Sequence, residues 1–200
     1  MTIYGRWGMA MLFGALAWLG RPAAQAAEAA MLPWIEDGAN VTTGQAAWVE
    51  TRSDRLHGFS RVTGVKILVR LLAKSPTEAE DKVPGAYMRA MAKRLAVDGR
   101  GALVVYFADE KEFRVWIGDA CAATFVGEPG SARKFTANGR MHEVKEAFLS
   151  AAQKSSDAAF TAAQRTAPAG SAPTEALRVT LHADAIIDGL IAKLGSTPRS

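Results

Sequence analysis

The run Ala102-Leu103-Val104-Val105-Tyr106-Phe107-Ala108 is apolar on both of the faces that a strand presents. A segment of this length and β-branched content is expected as a central strand with structure packed above and below it. Its neighbours must therefore supply two covering layers. "VKILVRLL", residues 65–72, is short and rich in branched residues, so it is expected as a second, largely buried strand. After the acidic tip "DEKE", the segment "FRVWIG" alternates, with Phe113, Val115 and Ile117 on one face and Arg114 and Trp116 on the other, the mark of a half-buried strand.

Helical periodicity fills the spaces between. Thr42 with Gln45 three residues on has the form of a capping box, and Val49, Leu56, Phe59 and Val62 keep one face apolar up to a stop at Thr63-Gly64. Tyr87, Met88, Met91 and Leu95 line one side of a second helix, which ends at Asp98-Gly99. A strand, a helix and another strand normally form a right-handed crossover, so 65–72 and 102–108 are expected to be parallel, with the third strand returning antiparallel. The fold class is α/β, a single layered domain whose mixed sheet is flanked by helices.

The ends of the chain read differently. Residues 1–26 place Arg6 ahead of an apolar stretch and finish Ala24-Gln25-Ala26, the pattern of a secretory signal peptide, and the run is short for a membrane span. Residues 27–41 carry Pro33, Gly38 and Asn40 and are expected to be irregular, leading into a core domain of 27–125. Residues 126–175 form a turn-rich segment with one helix, from about Met141 toward Ala163, followed by the link "TAPAGSAP". Residues 176–200 carry Ile186, Ile187, Leu190, Ile191 and Leu194 on a helix expected to pack back on the sheet.

Charge narrows the function. The formal charge is +4, but removal of 1–26 takes away Arg6 and Arg21 and no acid, leaving +2. No long Lys or Arg run remains, which argues against a nucleic-acid partner, and no further segment is apolar enough to span a membrane. The expected location is the periplasm or the secreted fraction. Cys121 is the single cysteine, so no internal disulfide can form, and it reads as a small buried hydrophobe.

"VTGVKILVRLL" and "GRGALVVYFADEKEFRVWIG" are similar to the TPM domain family, whose members include thylakoid-lumen, photosystem-repair and nematode receptor-associated proteins and bacterial extracytoplasmic ones. Thr63-Gly64, Gly101 and Gly118 occupy the family's turn positions. The resemblance covers about residues 35–125 and implies an extracytoplasmic α/β domain attached to a membrane process. Some relatives are credited with acid phosphatase activity and divalent-ion binding, and others look like auxiliary subunits. Two positions depart from the pattern. Gly99 stands where the family has an acid, and "GDACAA" replaces Gly-x-Gly-x-Glu.

The topology places Asp98, entering the middle strand, and Asp119, leaving its antiparallel neighbour, at one sheet edge. Two carboxylates there could hold a hard divalent cation, calcium or magnesium, with carbonyls and water completing the shell. Lys74, Ser75, Asp109, Glu110, Glu36 and Asp37 gather at the opposite edge, where acids most simply form solvated turns. His57, His142 and His182 make no short metal-ligand motif, and there is no Gly-x-Ser-x-Gly or phosphate-cradling glycine loop. The leading expectation is an exported binding or auxiliary module acting on an envelope or membrane protein. The alternatives are a divalent-metal-dependent phosphatase acting on phosphomonoesters and a purely structural envelope protein.

Overall fold

In the computed structural model, residues 32–168 and 172–196 are described. The proposed signal peptide, part of the link after Thr166 and the last four residues lie outside them. All the elements belong to one compact unit, Pro33–Ser200.

Three apolar runs become β2 (Lys66–Leu72), β3 (Gly101–Phe107) and β4 (Glu112–Ile117). β2 and β3 are parallel, β3 and β4 antiparallel, as the crossover and the tight tip require. All seven residues of β3 are buried. A fourth strand, β1 (Ile35–Asp37), pairs parallel with β2, giving the order β1-β2-β3-β4. The expectation of an irregular lead is corrected here. Ile35 is buried, the Val69 N–H donates to the Trp34 carbonyl at 2.8 Å, and Pro33 precedes the pairing where no donor is needed.

Six helices surround the sheet: α1 (Ala46–Thr63), α2 (Ala86–Arg94), α3 (Ala122–Val126), α4 (Ala132–Ala137), α5 (Arg140–Thr166) and α6 (Glu175–Gly195). The segment after Val126 thus carries α4 as well as α5, where one helix was expected. None of the helices among the described residues is long and apolar enough to cross a membrane.

The two faces of the sheet are covered unequally. Ile67, Val69, Val104, Tyr106, Phe113, Val115 and Ile117 share a core with Leu56 of α1, Phe125 of α3, Phe148 of α5 and Ile186, Ile187 and Leu190 of α6. The C-terminal helix therefore packs back as its periodicity implied. Leu68, Arg70, Leu103, Val105, Phe107, Arg114 and Trp116 point the other way. The helix with buried residues on that side is the nine-residue α2, whose Tyr87 ring lies 6.2 Å from Phe107. Arg70 is buried within this face and pairs with Glu36 at 3.0 Å, its register neighbour on β1.

Thr42 does not cap α1. The helix begins three residues beyond the expected start, and both the N–H and the hydroxyl of Thr42 donate to the Asp37 carboxylate, at 2.8 and 2.6 Å. α1 is instead tied to α6. The Arg52 guanidinium forks onto Asp184 at 2.6 and 2.9 Å, the Trp48 indole donates to the same carboxylate at 2.7 Å, and Arg55 pairs with Asp188.

Candidate functional site

The turn before β3 and the exit from β4 are held together by main-chain bonds. Gly118 N–H donates to the Gly101 carbonyl at 2.9 Å, Asp119 N–H to Asp98 at 2.8 Å, and Ala120 N–H to Gly99 at 2.9 Å. Glycine is required at this seam. A Cβ on Gly118 would lie 2.6 Å from the Gly99 oxygen, and one on Gly101 would lie 2.5 Å from the Lys66 oxygen. These turn glycines thus have a steric role, setting the approach that brings Asp98 and Asp119 side by side.

Both acids line one end of a groove of about 920 Å³. One wall is α2, with Met88, Arg89 and Lys93; the other is α4 and the start of α5, with Arg133 and Lys145. Trp116 and Arg114, on the thinly covered face of β4, form the floor. Because α2 and β4 both run toward the seam, the acids stand where these two elements end.

Trp116 organises the walls. The Arg89 guanidinium lies 5.6 Å from its ring centre and Lys145 Nζ 5.3 Å, within cation–π range. Its Nε1 is buried without a hydrogen-bond partner among the described residues. A buried donor in that state costs about 1–3 kcal/mol. Burial pushes the Lys145 ammonium down to about 8. Arg114 is engaged by Glu110 at 2.6 Å and Glu112 at 3.7 Å, whereas Arg89, Lys93, Arg133 and Lys145 have no carboxylate within 4.0 Å among the described residues. Four cations without acidic partners on two facing walls create a positive potential suited to an anion.

The cation site expected at Asp98 and Asp119 is only half built. The two residues are joined at the backbone, but no group of three or more His, Cys, Asp or Glu side chains among the described residues could hold a metal ion. The carbonyls of Asp98 and Gly99 already accept main-chain bonds. Calcium takes about six to eight oxygens. The residues present do not fit a dedicated divalent site, and no step is derived through one.

At the opposite sheet edge the acids close turns. Asp37 accepts from Val41 N–H at 3.1 Å as well as from Thr42, and Asp109 accepts from the Ser75 N–H and hydroxyl at 2.9 and 3.2 Å. The histidines are dispersed. His57 lies 5.7 Å from the Trp34 ring, His142 is exposed on α5, and His182 packs edge-on against Phe113 at 4.6 Å. Cys121 is buried, and burial pushes its thiol up.

No family model matches the chain, and no curated protein does. Among solved structures it is similar to the N-terminal domain of a protein from P. gingivalis, determined by solution NMR, with a TM-score of 0.50 and 16% identity. The match covers 87% of this chain and 90% of that one. The likeness is one of fold. It extends well beyond residues 35–125, so the helices after β4 belong to the shared architecture.

Arg89, Lys93, Arg133 and Lys145 were not singled out from the sequence. The one local signal was the spacing of Arg89 and Lys93, one helical turn apart and off the apolar stripe of α2. Such a pair reads as an ordinary solvated helix face.

Proposed function

We propose that this chain is an exported, TPM-like binding or auxiliary module that acts on another protein of the cell envelope through the groove between α2 and α4–α5. The observation that carries this reading is the pairing of an aromatic floor, Trp116, with cations on both walls that have no acidic partner inside the described residues. Aromatic and arginine side chains are enriched where proteins meet. A strand face left half covered by one short helix is a natural seat for a partner.

The test is capture from native envelope extract, comparing the wild-type chain with Arg89→Glu/Arg133→Glu. Both positions are exposed, so the double variant is expected to fold. A partner retained by the wild type and lost by the variant supports the groove. Equal capture by both chains moves the function elsewhere.

A second reading, a divalent-cation-dependent phosphatase acting on phosphomonoesters, draws support from the adjacency of Asp98 and Asp119 beside groove cations. Its ligand set is short. Calcium, magnesium or manganese titration of the chelator-stripped protein and of Asp98→Asn tests it. Retained phosphomonoester hydrolysis in the mutant, or none in the wild type, removes this reading.

A further inference from the structure

Resting on the binding-module reading, we infer that the groove's occupant is an acidic segment of a partner protein, seated with its acidic run along Trp116 and a basic residue at the Asp98–Asp119 end. Three observations point to this chemistry.

The first is how the cations are distributed. Arg89 and Lys93 are one turn apart on α2, while Arg133 and Lys145 stand on the facing wall from α4 and α5. A single phosphate is held by donors that converge on one point. Arg89 and Lys145 flank the Trp116 ring at 5.6 and 5.3 Å, with Lys93 and Arg133 adding charge on the two walls, and a set of four cations matches several carboxylates along a chain.

The second is polarity along the groove. Asp98 and Asp119 share the seam end, and among the described residues neither carboxylate has a hydrogen-bond or ion-pair partner. They repel an acid placed there and attract a base. Charges of both signs at fixed ends set the direction and register of a bound segment, because the reversed segment puts like charges together.

The third is the floor. Trp116 supplies apolar contact area between the charged walls, with Met88 on the α2 side and Ala132 and Ala137 on the other. A segment that places carboxylates over Arg89 and Lys145 can also desolvate the indole, where the aromatic ring and flanking cations concentrate binding energy.

The experiment uses the purified full chain and labelled synthetic peptides: a glutamate run ending in two lysines, the same residues in reverse order, and a lysine-for-glutamate control. Binding is read by anisotropy and by indole fluorescence, with inorganic phosphate and anionic-lipid vesicles as competitors. The expected result is that the acidic peptide binds, that its reverse binds several-fold more weakly, and that Arg89→Glu/Arg133→Glu or the milder Lys145→Met each weaken it, the charge reversal by at least tenfold. Equal binding of both orientations overturns the assigned polarity. Displacement by phosphate or vesicles at lower concentration than the peptide overturns the choice of occupant. If native-extract capture depends on the groove but the acidic peptide neither binds nor competes, the acidic-segment inference falls while the binding-module reading stands. If capture is also insensitive to the groove variants, both fall.

Discussion

Asp119 donates its main-chain N–H to the Asp98 carbonyl at 2.8 Å, so the two residues are neighbours at the backbone, and both line the groove. They add negative charge to a groove whose walls are positive. Asp119→Asn is therefore expected to raise affinity for a purely acidic peptide about two- to fivefold, the effect of one exposed charge interaction. The change should shrink in high salt. Unaltered affinity at low salt would remove Asp119 from the bound segment's surroundings.

Gly118 lies where any Cβ would meet the Gly99, Val97 and Asp98 oxygens at 2.6 to 3.0 Å. Those are backbone atoms of a bonded seam and cannot rotate away. Gly118→Ala should cost about 1–3 kcal/mol or more in urea unfolding, and Gly101→Ala a similar amount. Gly58, with nothing within 4 Å of a built Cβ, is the control. Gly58→Ala in the interior of α1 should stabilise by about 0.5–1 kcal/mol.

Lys145 titrates at about 8, lowered by burial from 10.5. Between these values the unfolded chain binds the proton and the folded chain does not, so stability attributable to this group rises with pH through the window and the penalty is fully present below it. Lys145→Met should stabilise the protein at pH 7 by about 1–2 kcal/mol, with most of the gain gone by pH 10. Binding of an acidic peptide should have the opposite slope, weakening as pH rises through 8 while Arg89 and Arg133 stay charged. Lys145→Arg should abolish that loss.

His182 is lowered from 6.5 by burial against Phe113, and its Nε2 has no hydrogen-bond partner among the described residues. Here too the folded state holds fewer protons than the unfolded state, in this case just below pH 6.5, so stability falls as pH falls through that region. His182→Leu should flatten the acid limb of a stability profile between pH 7 and 5. A limb that keeps its full slope in the variant would assign it to carboxylates elsewhere.

Much of the sheet was legible because it depends on local pattern. The apolar run at 102–108 implied a strand buried on both faces, and the alternation from Phe113 to Ile117 sorted Trp116 from the core side. β1 was missed for a physical reason. Its three residues make almost no pattern of their own, and their strand conformation comes from pairing with Val69, Arg70 and Leu71. The capping box at Thr42 was misleading because Asp37 takes both donors of that residue.

By itself, the sequence determined the three longer strands, the main helices around them, the parallel pairing of 65–72 with 102–108, and the nearness of Asp98 to Asp119, since each follows from short-range periodicity and chain connectivity. Only the tertiary structure decided the groove. Arg89, Trp116, Arg133 and Lys145 lie on four separate elements, and each alone has the appearance of a solvated charge or an ordinary strand aromatic. They converge because five helices share one face of the sheet while α2 leaves the β4 end of the other open, an imbalance set by how the helices pack and absent from any local stretch of the chain.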